Sequence, residues 1–153
     1  MSDGTVDGAA LNVLWADAAA RVRLAIEGVT HAHSLRQPPA GLNSINWVGG
    51  HIVAGRSNCL AMLGAAGGWS VARLRPYLPN APRLVPDSAI AWEEIVPALR
   101  ETHDALAAAF AAATPEALRV QVEDGPLGVA LARYAQHESF HAGQLELLRA
   151  LAN

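Results

Sequence analysis

Three histidines offer the most direct chemistry in this sequence: His51, His137 and His141. His137 and His141 stand four residues apart, so on a helix the second lies about 40° round from the first and one turn on. That spacing lets two imidazoles converge on one ion. Tyr134, Gln144 and Leu148 fall within roughly 60° of His137 on the same face. His51 shares its own helical face with Trp47, Val48, Gly55, Asn58 and Met62, and Gly55, one turn on, leaves open space beside the ring. One inward histidine alone is more often a core residue with a satisfied hydrogen bond. Three together would leave several polar ring atoms to satisfy in a small core unless they share a purpose. Three neutral imidazoles with the remaining positions open describe a catalytic type of site, so one divalent transition metal is the expected cofactor.

His137-Glu138-Ser139-Phe140-His141 also matches the H-E-x-x-H string of zinc peptidases, which makes Glu138 a candidate general base. The longer peptidase form fails, because Gln144 and Leu147 occupy the places of its glycine and third histidine. Gln144 is expected to hydrogen-bond a ligand imidazole. Trp47 and Tyr134, each one turn before a histidine, are expected to line the same cavity, with Asn58 on its wall. His103 reads as a core residue at another level, although its face would also allow a fourth ligand. His31 and His33 read as residues at the end of the first helix. Cys59 reads as a small buried hydrophobe, about 80° and two turns from His51.

Four segments carry the periodicity needed to position these side chains. Residues 7–32 show a stripe of Leu11, Trp15, Ala18, Val22, Ala25 and Val29. The paired prolines at 38 and 39 then break the helix. A second helix opens at a cap, Asn43 or Ser44, and runs to about Leu63 before a glycine cluster. Residues 69–86 carry four prolines and no period, too long for a tight turn. A third helix is predicted from a cap at Asp87 or Ser88 to Ala113, with Trp92, Val96, Leu99, His103, Leu106 and Phe110 as its stripe and Pro97 inside it. Thr114-Pro115 ends it or starts a short turn. The fourth runs over 126–151, with Leu127, Ala130, Tyr134, Leu145 and Leu148 on one side. Val120-Gln121-Val122 is the nearest thing to a strand. The predicted fold is all-α: a four-helix bundle with a long crossover linker between helices 2 and 3, as one domain over 1–153.

Composition narrows the function classes. The chain has 153 residues, 52% hydrophobic and 16% charged, with a net charge of −3. Disorder is excluded by that balance, and the lack of any Lys/Arg cluster argues against nucleic acid. A single cysteine excludes an internal disulfide and a cysteine-based zinc cluster. The acidic start has no basic region followed by an apolar one, and the apolar reach over 45–69 is interrupted by Arg56, Asn58, His51 and glycines. No membrane span and a cytoplasmic location are expected.

Asn46-Trp47-Val48-Gly49-Gly50-His51 at the second helix and His137-x-x-x-His141-x-Gly143-Gln144 in the fourth resemble the DinB-like superfamily. That superfamily includes the YfiT-type metal-dependent hydrolases and the metal-dependent thiol transferases. The resemblance spans almost the whole chain. It implies a four-helix bundle, a zinc, nickel or similar ion on His51, His137 and His141, and often a homodimer. It further implies activation of a low-molecular-weight thiol, such as bacillithiol or mycothiol, for transfer to an electrophile, or isomerisation of a thiol adduct. No extra C-terminal domain of the kind that some mycothiol-dependent members carry is expected, which disfavours the isomerase branch. The expected function is metal-dependent transfer with a small-molecule thiol and an electrophile as partners. The alternatives are hydrolysis with Glu138 as general base and a non-catalytic metal-binding stress-response protein.

Overall fold

The computed structural model describes residues 6–39 and 41–151. Residues 1–5, Ala40 and the last two residues, which the predicted domain over 1–153 includes, lie outside them. The chain is mostly helical. Four long helices, α1 (Gly8–Ala25), α3 (Ile45–Met62), α5 (Trp92–Ala112) and α7 (Leu127–Leu151), are joined by the short helices α2 (His31–Ser34), α4 (Val71–Leu74) and α6 (Pro115–Arg119). Two two-residue strands, β1 (Gln121–Val122) and β2 (Gly125–Pro126), pair antiparallel just before α7. Among the described residues, no helix is long and apolar enough to cross a membrane.

The first predicted helix is split in two. Its stripe is right as far as Ala25, since Leu11, Trp15, Ala18, Val22 and Ala25 are all buried. The chain then turns through Gly28, whose φ of 74° suits a residue without Cβ. Thr30 restarts it as α2, its side chain accepting from His33 N–H. The third predicted helix begins later than its expected cap. Asp87 and Ser88 form a 3₁₀ turn with Pro86, and α5 starts at Trp92 with no local side-chain cap. A distant residue replaces it: His31 Nδ1 accepts from Trp92 N–H at 3.1 Å. Propensity cannot show a cap supplied 61 residues away. Val96, placed on the buried stripe of α5, is 38% exposed, and Ile95 and Ala98 are buried in its stead.

Each of α1 and α3 packs against both α5 and α7. Contacts along them set their directions. Gly49 meets Trp92 and Ile95 near the starts of α3 and α5, while Gly67, just beyond α3, meets Ala105 further along α5. The two neighbours are therefore parallel, and no tight turn can join them. Residues 63–91 make the crossover that a parallel pair requires. Asn58 bonds Tyr134 while His51 meets His141, so α3 and α7 are antiparallel.

The α3 helix starts at Ser44, whose Oγ accepts from Trp47 N–H, and ends in a Schellman motif with Gly64 at φ 64°. The crossover folds back over α3, so thirteen of its eighteen residues are buried and no separate polar face remains. Two apolar clusters fill the interior. One is centred on Ile52, Tyr77, Trp92 and Leu145, the other on Trp15, Leu60, Phe110 and Leu131. The buried Arg56–Glu138 pair belongs to neither.

Candidate metal centre

The α3 and α7 helices bring His51, His137 and His141 together. Their ring centroids are 4.3–5.3 Å apart, and one nitrogen from each lies within 4.8 Å of the other two. Tetrahedral coordination with bonds near 2.0–2.1 Å separates ligand atoms by about 3.4 Å, so this cluster stands close to a ligating arrangement.

The hydrogen bonds decide which nitrogens face inward. The Tyr77 carbonyl can only accept, so His51 Nδ1–H donates to it at 2.7 Å and leaves Nε2 with a free lone pair. Gln144 Oε1 likewise accepts from His141 Nδ1–H at 2.7 Å. His141 Nε2 then meets His137 Nε2 at 3.0 Å, a contact that needs a shared proton or a shared cation. Two rings are thus fixed in the ligating tautomer by groups one shell out.

Tyr77, in the crossover, is the functional residue that sequence reasoning missed. Its ring packs on Gly50, where an added Cβ would lie 2.2 Å from Cδ1. Its hydroxyl donates to Asn46 Oδ1 at 2.9 Å and accepts from Ile90 N–H at 2.7 Å. Asn46 Nδ2 in turn donates to Ile90 O at 3.0 Å and to Ser34 Oγ at 3.3 Å. The Asn46-to-His51 motif is therefore a device for seating Tyr77 so that its carbonyl orients His51. Gly50→Ala is expected to cost about 1–3 kcal/mol through the overpacked ring. It should also weaken metal binding by about 10–100-fold through the displaced carbonyl. Thermal unfolding and a competitive metal titration read the two effects.

Burial holds all three imidazoles below their ordinary pKa. At His51 the Tyr77 carbonyl opposes that effect and His137 adds to it. At His137 the nearby Glu138 charge opposes it. At His141 burial is again the largest cause, opposed by Gln144, and the value falls to about 4. Neutral imidazoles are the form a metal accepts. The sign for stability follows. Between pH 6.5 and about 4 the unfolded chain takes up a proton that native His141 refuses. The metal-free protein should therefore keep its full stability above pH 6.5 and lose it as pH falls through that window. A melting series over pH checks this, and His141→Ala should make it shallower, leaving the part that His51 and His137 contribute.

The cluster opens on a cavity of about 620 Å³, whose walls include His51, Gly55, Asn58, Trp69, Leu74, Tyr134 and His137. That is the size and mixed lining of a small-molecule site. Asn58 Nδ2 donates to Tyr134 Oη at 2.7 Å, which leaves the phenolic proton free for another acceptor. Trp69 is held in the wall by its backbone N–H, which donates to Ser57 Oγ at 3.0 Å, and by Arg73 stacked 4.0 Å from its ring. Trp47 stacks on the His51 ring, with centroids 4.6 Å apart and planes 12° apart. His137 is exposed to this opening, whereas His51 and His141 are buried.

Glu138 borders the cluster but is held by Arg56. It is buried, and both carboxylate oxygens are taken by Arg56, from Nε at 2.9 Å and Nη2 at 2.5 Å. Arg56 Nη1 also donates to Leu99 O. A hundred degrees of helix separates Glu138 from His137, and that rotation turns its carboxylate into the core. His103 is half-buried and lines a different cavity. Cys59 is fully buried, and burial pushes its thiol pKa up, far from a reactive thiolate.

A helical chain with three converging imidazoles beside an open cavity defines a candidate metalloprotein, and the donor set fits a divalent transition ion. The family model of the DinB superfamily matches residues 14–145, and the chain belongs to that superfamily. No curated protein matches it.

Proposed function

We propose that this protein is a metal-dependent transferase of four-helix-bundle type. It would hold one zinc or nickel ion on His51, His137 and His141 and act on a low-molecular-weight thiol and an electrophile. The observation that supports this reading best is the pair of Nδ1–H donations, His51 to Tyr77 and His141 to Gln144, which aim two bare nitrogens at His137 beside the 620 Å³ cavity. A divalent ion held there would supply Lewis acidity, enough to favour the thiolate over the thiol at neutral pH.

The chain's own residues do the rest. Trp69, Leu74 and Leu78 give the cavity an apolar wall that shelters an electrophile from water. Tyr134, fixed by Asn58, can donate its proton to a substrate atom beside His137. A homodimer is part of the proposal. Phe140, Leu147 and Leu151 are 62%, 54% and 54% exposed along one face of α7, and sedimentation would measure self-association through them.

The test is conjugation of a panel of thiols to electrophiles by protein purified without a histidine tag, metal-free and metal-loaded. Metal-dependent turnover is expected, and Tyr134→Phe should lower it by on the order of 10²-fold with metal occupancy unchanged. A metal-loaded protein inactive across the panel would refute the transferase reading. Chelation that costs only thermal stability would favour a non-catalytic metal-binding role.

A further inference from the structure

A second cavity, of about 370 Å³, lies in the seam between α1 and α5 and reaches Arg56 from the side away from the histidines. Ala16, Ala19 and Ala20 open it, because each stops at Cβ where a longer side chain would fill the seam. Val22 and Leu99 give it an apolar floor. Every polar side chain in its lining is basic: Arg23, Arg56, Arg100 and His103. Arg56 is matched by Glu138. Arg23 and Arg100 are exposed, and no ion pair is formed by either among the described residues. The His103 ring lines the cavity too, while its Nδ1 is buried away from it.

We infer that this cavity binds a small amphiphilic carboxylate, its chain in the alanine-lined seam over Val22 and Leu99 and its head between Arg23 and Arg100. The chemistry is specific in two ways. A guanidinium offers paired donors that match a carboxylate. A cationic or neutral amphiphile of equal length would fill the same space but leave the two arginines unmatched. The site is distinct from the histidine cluster and does not depend on a metal there.

Titration of the ¹⁵N-labelled full chain with decanoate, followed by amide chemical shifts, tests this, with decylamine as control. Saturable shifts are expected around Ala19, Val22, Arg100 and His103 with decanoate and not with decylamine. The exposed double variant R23E/R100E should weaken decanoate binding by about tenfold. Ala19→Trp should abolish it by filling the seam; if that variant does not fold, the charge reversal alone decides. Shifts confined to Gly55, Asn58 and Tyr134 would place the ligand in the other cavity and overturn the inference. So would equal binding of decylamine, an unaffected double variant or no saturable shift.

Discussion

His141→Ala should lower the affinity for zinc or nickel by roughly 10²–10³-fold and remove any metal-dependent activity with it. A three-imidazole site divides its binding free energy among few ligands, so losing one removes a large share. The fold should survive, because alanine is the strongest helix former and the position lies well inside α7. His51→Ala should behave alike, although it also removes the donor that meets the Tyr77 carbonyl. His137→Ala takes away the most exposed ligand and is the least disturbing to packing. His103→Ala is the control and should leave affinity unchanged, since His103 lines a separate cavity. Circular dichroism and elemental analysis on the same samples separate loss of metal from loss of structure. Unchanged affinity in His141→Ala would disprove the three-histidine centre.

The second large effect concerns the core. Glu138→Ala leaves the Arg56 cation buried with no counter-charge and should cost about 3–5 kcal/mol. For a chain of this size that is roughly 10 °C in melting temperature. Arg56→Ala should cost a similar amount, because it strands the carboxylate and removes the donor to Leu99 O. Replacing both, as R56M/E138L, should recover most of the loss, since an apolar pair of similar volume avoids desolvating two charges. Metal stoichiometry should be retained throughout, because neither residue belongs to the histidine cluster. Glu138→Gln separates the two roles of this residue. A structural role predicts lower stability with activity per folded, metal-loaded molecule preserved. Full stability and full metal occupancy with no turnover would restore Glu138 as the base of a hydrolase.

The sequence by itself determined the all-α class and the histidine cluster. Both are periodic facts. The i, i+4 spacing of His137 and His141 holds on any helix, and the stripe from Leu11 to Ala25 buries wherever that helix finds a partner. Ser44 could be read as a cap because capping is local, its side chain bonding an amide three residues on. Two things were decided only by tertiary structure. The first is every long-range polar partner: the Tyr77 carbonyl on His51, the His31 ring capping α5 and Arg56 locking Glu138. Each bond spans 26 to 82 residues, and no propensity or period couples positions so far apart. The second is which side of α3 stays open. Helical angles grouped His51 with Asn58 as an apolar inward face, but the crossover buries the helix nearly all round. His51 and His137 instead look into a cavity walled by Asn58 and Tyr134. Periodicity tells which side chains share a face. The neighbours that close on that face come from the rest of the chain, and they decide whether it becomes core or site.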